Sequence, residues 1–290
     1  MGINLSNNDR RHSMKYLIQA VAALFILSTI QPAAAQEPPT LTFGLVPQQS
    51  ATKLARLWGP IMQYIGKKSG TRLVFKTAPN IPEFERRCAK GEYDIAYMNP
   101  YHYTVFHRSP GYEVFARQKN KRIRGIMVVR KESAIHPLHD LSGKTLAFPA
   151  PAAFAASVLP RANLTNNDIP FSAKYVSSHD SVYRTVAKGL YVAGGGIQRT
   201  FNNVDPAVRE QLRVLWTSEP FTPHAFAAHP RVDPAVITRI REVMINMEND
   251  PEGKQLLTNI NFKGIEAGED KDWDDVRALG IDLLKKLTEG

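Results

Sequence analysis

The chain has 290 residues, of which 43% are hydrophobic, so it is long and apolar enough for one large or two medium domains. Its single cysteine excludes an intramolecular disulfide, and its composition excludes a disordered chain. The formal net charge of +10 at pH 7 suits an anionic ligand, although the basic residues are scattered apart from one cluster at 119–124. We interpret that cluster as a solvated ridge and expect no nucleic-acid partner.

The first predicted element is a secretory signal peptide over residues 1–35. Met14 and the lysine after it precede an apolar run, Tyr16–Ile30, which is shorter than the roughly 20 residues of a membrane-spanning helix. Small residues follow, and no cysteine stands at the cleavage point expected after Ala35. The mature protein should therefore begin at Gln36 and be a soluble periplasmic monomer without a lipid anchor.

From Thr40 onwards, short apolar strands alternate with amphipathic helices, which is the pattern of an α/β protein. In the first half the predicted strands are 41–46, 73–75 and 93–98, and the predicted helices are 51–66, 81–90 and 100–107. Gly66 is the predicted end of the first helix.

The same pattern begins again in the second half of the chain. There the predicted strands are 126–129, 144–148, 174–176 and 190–193, and the predicted helices are 152–159 and 181–188. Gly194–Gly196 is predicted to form a tight turn that lets a ligand approach the backbone. Two further helices, 233–247 and 251–257, form a mostly helical tail.

Two successive α/β halves predict two similar lobes. We assign residues 40–125 and 226–290 to lobe one and residues 126–225 to lobe two. The chain must then cross between the lobes twice, near 125–129 and near 221–227. Two crossings form a hinge, and hinge closure around a ligand is a recognised conformational change.

Several short motifs resemble the phosphonate/phosphate-binding family of periplasmic solute-binding proteins. In chain order they are Phe43–Pro47 with Trp58–Pro60, Gly91–Tyr97, Leu141–Phe148, Asp250–Gly253 and Asp272–Val276, and the resemblance covers nearly all of 41–279. It implies an α/β, two-lobed type II periplasmic binding protein fold with a ligand cleft between the lobes. It also implies a receptor without catalytic activity or cofactor that delivers its ligand to an ABC permease.

Loops at the carboxyl ends of strands in two facing α/β lobes converge on the cleft between them. The ligand-binding candidates are Gln49, Ser50, Tyr97, Met98 and Asn99 in lobe one, and Ala153, Phe154, His179, Gln198 and His224 in lobe two. Helix N-termini at several of these loops favour an anionic ligand.

The resemblance implies that phosphonate binders of the family carry a Ser-Thr-Ser cluster where this chain has Ala153–Ala155. Hydrogen bonds to charged groups are worth about 1.5–3 kcal/mol each, so we expect phosphate and alkylphosphonates to bind weakly. A planar or carboxylated ligand that stacks near Phe154 and Tyr97 should bind better.

The remaining pocket candidates are also interpreted through the resemblance. His179 matches a family histidine that contacts the anionic group. Gln198 and His224 stand where aminoalkylphosphonate binders have acidic residues, so a cationic amine is not expected. His224 and Arg199 could instead contact a carboxylate.

Three alternatives remain open. An enzyme is disfavoured because the adjacent residues of His179–Ser181 cannot form a hydrogen-bonded catalytic relay. The closed protein could signal to a membrane sensor histidine kinase instead of feeding a permease. It could also be a metal or metalloid receptor, with candidate ligands Met98, Cys88, His102, His107, His179 and His224. For Cys88 we favour a structural role, because it shares a predicted helix face with Phe84.

Overall fold

The computed structural model describes residues 37–288, so the predicted signal peptide at 1–35 lies outside the described residues. The compact unit that begins at Pro39 contains two β-sheets with helices packed on them. Within 37–288, no helix is both long enough and apolar enough to cross a membrane.

Most strands alternate with helices along the chain, except that β5 follows β4 and β10 follows β9 directly. The strands are β1 (Thr40–Leu45), β2 (Arg72–Lys76), β3 (Ile95–Met98), β4 (Glu113–Gln118), β5 (Gly125–Arg130), β6 (Lys144–Phe148), β7 (Phe171–Tyr175), β8 (Ala193–Ile197), β9 (Leu212–Thr217), β10 (Ala225–Ala228) and β11 (Ile265–Ala267). The α-helices are α1 (Ala51–Ser69), α2 (Ile81–Ala89), α3 (Pro100–Arg108), α4 (Leu159–Asn166), α5 (His179–Ala187), α6 (Gln198–Asn202), α7 (Pro206–Arg209), α8 (Pro234–Asn246), α9 (Pro251–Asn259) and α10 (Asp274–Arg277). A π-helical turn, Phe154–Val158, leads directly into α4.

Each sheet is the centre of one lobe. The sheet of lobe one has the order β11-β4-β10-β3-β1-β2, and the sheet of lobe two has the order β7-β6-β8-β5-β9. Strand β1 runs parallel to β2 and β3, whereas β10 runs antiparallel to β3 and β4. In lobe two, β6 runs parallel to β7 and β8, and β5 runs antiparallel to β8 and β9. The two-lobed α/β fold expected from the sequence is confirmed.

Four buried apolar clusters stabilise this architecture. In lobe one, Trp58 and Ile65 of α1 pack with Met244 of α8 on one face of the sheet. Two other clusters lie within lobe two. The fourth cluster joins the lobes, because it contains Phe84 of α2 together with Phe154 of the π-helical turn. The cleft side of lobe two is therefore packed against lobe one.

The chain crosses between the lobes at 119–124 and at 218–224, and the two crossing segments pair with each other. The N–H of Ile123 donates to the Phe221 carbonyl (2.7 Å), and the N–H of Phe221 donates to the Ile123 carbonyl (2.9 Å). The first crossing was expected at 125–129, but Gly125–Arg130 is strand β5, hydrogen-bonded on both sides within the sheet of lobe two.

The glycine-rich segment differs most from the sequence-based expectation. Gly194–Gly196 is not a turn but the centre of β8, whereas the predicted strand at 190–193 begins in an exposed turn with Leu190 66% exposed. A Cβ on Gly195 would stand 1.9 Å from the Ala156 carbonyl oxygen, and a Cβ on Gly196 would stand 2.1 Å from the Tyr183 hydroxyl. Glycine is therefore used here for close packing between elements, not for a turn.

Two helix boundaries also differ. Helix α1 continues past Gly66 to Ser69, and Gly70, with φ of 66°, ends it. Gly66 is needed inside the helix because a Cβ there would lie 2.6 Å from the Thr71 carbonyl oxygen. The predicted helix 152–159 is the π-helical turn followed by α4, which starts with Pro160 in its first turn, where a missing N–H breaks no helical hydrogen bond.

Candidate ligand-binding site

The two lobes meet across a closed cleft in which a cavity of about 10 Å³ remains. A volume of this size holds about one water molecule. The cavity is lined by Val46, Gln48, Ile81, Asn99, Ile123, Ala153, Phe154, Ala155, Ala156, His179, Ile197 and His224. No lining residue carries a carboxylate, so nothing in the wall repels an anion.

Lobe two presents the amide end of the π-helical turn to this cavity. The first backbone hydrogen bonds of the turn run from the N–H groups of Ser157 (2.7 Å) and Val158 (3.3 Å) to the carbonyl of Ala153. The amides of Phe154 and Ala155 precede these bonds, at the position where a helix start leaves N–H groups without intrahelical partners. Such a start favours an anion.

Glycines beneath the turn determine its position. A Cβ on Gly125 of β5 would lie 2.1 Å from the Ala155 carbonyl oxygen, and a Cβ on Gly195 of β8 would lie 1.9 Å from that of Ala156. The two carbonyls therefore lie directly on the sheet, and the amide end of the turn is held at the cleft.

His179 belongs to the first turn of α5, which is capped by Ser178. Its Nδ1 lies 3.0 Å from Thr200 Oγ1, and the Tyr183 hydroxyl lies 2.8 Å from the same oxygen. Burial, together with the nearby charge of Arg199, lowers the pKa of His179 to about 3. The ring at the cavity wall is therefore fixed in orientation and neutral near neutral pH.

Gln48 connects the two lobes. Its Nε2 donates to His224 Nε2 (2.8 Å), while Arg199 of α6 donates to its Oε1. Its backbone carbonyl accepts from the N–H of His179 (3.1 Å). Burial, reinforced by the charge of Arg199, lowers the pKa of His224 well below its usual value, so its neutral ring can accept the amide hydrogen.

Asn99 forms a second buried connection. Its Oδ1 accepts from the backbone N–H of His102 (2.8 Å), and its Nδ2 donates to the carbonyl of Ala152 in lobe two (3.2 Å). His102 Nε2 lies 2.9 Å from Glu85 Oε1 of α2. A polar chain thus runs from the interior of lobe one to the start of the π-helical turn.

Five of the sequence-based candidates line the cavity, namely Asn99, Ala153, Phe154, His179 and His224. Tyr97 and Gln198 line a larger adjoining chamber beside the crossing segments. The structure does not bring the other three candidates to the cavity surface.

Each of these three has a structural reason for its position. Met98 is completely buried in the cluster that joins the lobes, on the face of β3 opposite to that of Tyr97, because successive side chains of a strand point to opposite faces of the sheet. The Ser50 hydroxyl caps α1 by accepting from the N–H of Lys53. Gln49 is buried beside Asp180 of lobe two.

The apolar lining residues Val46, Ile81, Ile123 and Ile197 were missed by the sequence analysis. No pattern in the sequence separates these residues from ordinary core positions. The three glycines of β8 could have indicated the position of the π-helical turn. Glycine inside a strand often marks a place where another backbone packs closely on it.

In the closed cleft, Phe154 and Tyr97, near which we expected a planar ligand to stack, do not line the same space. Phe154 packs edge-to-face on Phe221, with ring centroids 5.4 Å apart, and lines the small cavity. Tyr97 stacks on His224 at 5.1 Å and lines the adjoining chamber. The two aromatic rings therefore belong to different spaces.

The metal and enzyme alternatives gain no support from the geometry. Within the described part of the chain, no group of three or more His, Cys, Asp or Glu side chains could hold a metal ion. Cys88 and Phe84 are both completely buried in one core cluster, and burial raises the pKa of the thiol well above its usual value. Ser181 contacts the hydroxyl of Ser178 at 2.9 Å, while His179 contacts Thr200 instead.

Comparisons with known proteins agree on one family of binding proteins. The family model described as "ABC transporter, phosphonate, periplasmic substrate-binding protein" matches residues 43–273. The phosphonates-binding periplasmic protein of Escherichia coli is 24% identical over 287 residues, covering 90% of this chain and 82% of that protein. The phosphate-import protein PhnD of Mycolicibacterium smegmatis is 21% identical over 281 residues, covering 83% and 84%.

Among solved structures, PhnD1 from Prochlorococcus marinus in complex with methylphosphonate has a TM-score of 0.77 at 17% sequence identity, covering 87% of this chain and all of that one. At this identity the likeness shows a shared fold. The family model spans most of the chain and both lobes. The chain therefore belongs to the family of periplasmic substrate-binding proteins that serve phosphonate ABC transporters.

Proposed function

We propose that this protein binds a compact phosphorus oxyanion, phosphate or a phosphonate, in the cavity between the lobes. The observation that carries the proposal is the lining of the cavity between the lobes, which presents the amide end of the π-helical turn and no carboxylate. Ligand entry requires the lobes to move apart, and a compact ligand requires the smallest movement. The names of the two curated relatives, which specify phosphate import and phosphonate binding, support the same ligand class.

Recognition would depend on backbone amides more than on side chains. The N–H groups at the start of the π-helical turn would donate to the oxyanion, and His179 would contact it with a neutral ring. Since Ala153–Ala155 provide no hydroxyls, we expect weaker binding than a hydroxyl-lined site gives, by roughly tenfold for each missing hydrogen bond.

The biological role that we propose is delivery of the ligand to an ABC permease from the periplasm, by a monomer whose mature chain begins at Gln36. The lobes would comprise 40–125 with 226–290, and 126–225, and sheet membership supports this division. The family favours transport over signalling to a sensor kinase, over a metal receptor and over catalysis. N-terminal sequencing of a periplasmic extract and light scattering of the purified protein test the processing and the monomeric state.

Calorimetric titration tests the ligand class. We expect phosphate and methylphosphonate to bind saturably and a panel of aromatic carboxylates not to bind. A true ligand at a hundredfold excess over its Kd should also raise the unfolding free energy by about 2.7 kcal/mol. Tight binding of an aromatic carboxylate, without binding of any phosphorus oxyanion, would overturn the proposal.

A further inference from the structure

A second space, which we call the hinge chamber, adjoins the ligand cavity. It has a volume of about 210 Å³ and is bounded by the crossing segments, by the end of β3 and by the start of α6. Ile123, Ile197 and His224 line both spaces. These three side chains therefore form the boundary between the two spaces, and a ligand with a group in each space must pass between them.

The hinge chamber is strongly basic. Lys121, Arg122, Arg124 and Arg199 line it, and none of its lining residues carries a carboxylate. Arg122 is neutralised by Asp275, with Nη2 and Oδ2 2.7 Å apart. The other three cationic side chains have no ion-pair partner within residues 37–288.

The hydrogen bonds of these cations do not compensate their charge. Arg124 donates to the Ser218 carbonyl (2.7 Å), and Arg199 donates to the neutral amide of Gln48. The Arg199 charge contributes to the lowered pKa values of His179 and His224, and it opposes the rise in the pKa of Tyr97 that burial causes. An uncompensated positive potential therefore extends to the chamber and to the cavity.

We infer that the hinge chamber binds a second anionic group of the ligand, so that the preferred ligand is a short phosphonate or phosphate ester that also bears a carboxylate or a similar anion. This inference rests on the proposed function, because the phosphorus group occupies the cavity between the lobes. The chamber is smaller than the roughly 300–1,000 Å³ of pockets for drug-sized ligands, which limits the substituent to a short chain. A cationic substituent is disfavoured by the like charges of Lys121, Arg124 and Arg199.

Titrations of the purified protein with matched phosphonates test the inference. Ethylphosphonate, 2-aminoethylphosphonate and 3-phosphonopropionate share the phosphonate group and differ in the charge of a short substituent. We expect phosphonopropionate to bind roughly tenfold more tightly than ethylphosphonate, and aminoethylphosphonate to bind more weakly than both. Added salt should reduce the advantage of phosphonopropionate, because it screens exposed charges.

Substitutions of the basic residues test whether the hinge chamber causes the preference for a second anionic group. Arg124→Gln should lower the ratio of phosphonopropionate to ethylphosphonate affinity several-fold, and Lys121→Gln should act in the same direction. Lys174→Gln, an exposed lysine on β7 of lobe two, is the matched control and should leave the ratio unchanged.

The outcomes distinguish the two proposals. If neither phosphate nor any phosphonate binds, the proposed function itself fails. If phosphate binds and no phosphonate does, the proposed function stands and the inference of a second anionic group fails. If ethylphosphonate binds and phosphonopropionate gains nothing, or if Arg124→Gln weakens both ligands equally, the hinge chamber is not a site for a second anionic group.

Discussion

Single residues determine how strongly the cavity can hold an oxyanion. Ala153 and Ala155 are each 3% exposed and line the cavity beside the amides of the π-helical turn. A hydroxyl at either position could donate to the ligand that those amides bind. Alanine at these two positions cannot form this hydrogen bond, so the ligand is held there by backbone amides alone.

Ala155→Ser should therefore increase affinity for methylphosphonate. A hydrogen bond to a charged group is worth about 1.5–3 kcal/mol, so we expect a decrease in Kd of roughly tenfold or more. Isothermal titration measures the change. Ala162→Ser, at an exposed position of α4, adds the same hydroxyl outside the cavity and should leave Kd unaltered.

The buried histidines should make stability depend on pH. His179 is 2% exposed, and burial and Arg199 lower its pKa to about 3 from 6.5. Between those values the unfolded chain binds more protons than the folded one, so the unfolding free energy falls as pH decreases from 6.5 towards 3. The slope is up to about 1.4 kcal/mol per pH unit for each such histidine.

Urea unfolding at several pH values tests this expectation. His179→Gln removes one titrating group and should flatten the pH dependence of the unfolding free energy in the acidic range. An unchanged slope would mean that His179 is not held neutral in the folded protein.

At the scale of elements, the position of the amide end depends on glycines in the two strands beneath it. The Ala155 and Ala156 carbonyls occupy the space that Cβ atoms of Gly125 and Gly195 would fill. The glycines of β5 and β8 therefore act on the site indirectly, by letting the π-helical turn approach the sheet.

Gly195→Ala should disturb both stability and ligand binding. The added Cβ would stand 1.9 Å from the Ala156 carbonyl oxygen, so the turn must shift. Overpacking of this kind costs about 1–3 kcal/mol, and the displaced amides should weaken phosphonate binding. Denaturant unfolding and calorimetry measure the two effects.

Gly70→Ala is the matched control at the end of α1. Its φ of 66° makes the substitution strained, but nothing lies within 4 Å of the added Cβ. We expect a loss of about 1–2 kcal/mol of stability and unchanged ligand affinity. Equal effects of both variants on affinity would contradict the role given to β8.

At the scale of the whole molecule, polar contacts between the lobes hold the cleft closed. Lys53 of α1 donates to the carbonyl of Asn203 in lobe two, and Asn261 donates to the side chain of the same residue. These contacts lie outside the cavity lining, so they can alter closure without touching the ligand.

Lys53→Ala should shift the population towards open molecules and weaken binding. Apparent affinity decreases in proportion to the closed fraction, and loss of a partly exposed contact worth about 1 kcal/mol raises Kd by at most roughly fivefold. Small-angle scattering should show a more open average shape. Lys67→Ala, at an exposed position of the same helix, should alter neither measurement.

Local patterns in the sequence were sufficient for the elements that depend on local chemistry. Helices α1 and α8 follow from apolar periodicity, and β1 and β6 follow from short apolar runs, so the two-lobed fold could be predicted. Strands β4, β9, β10 and β11 were missed, because charged or polar residues interrupt β4, β9 and β11 and because β10 is only four residues long.

The sequence by itself determined the fold class and the family, because these depend on residue order and periodicity. Only the tertiary structure decided that Gly194–Gly196 is a strand, that Met98 is core, and that Tyr97 and Phe154 line different spaces. It alone also brought Arg199 to Gln48, which is 151 positions away in the chain. The reason is physical. A carbonyl oxygen can lie 1.9 Å from the position that a Cβ of Gly195 would occupy only because two distant segments pack together. Contacts between the lobes depend on the same packing, which no local sequence pattern encodes.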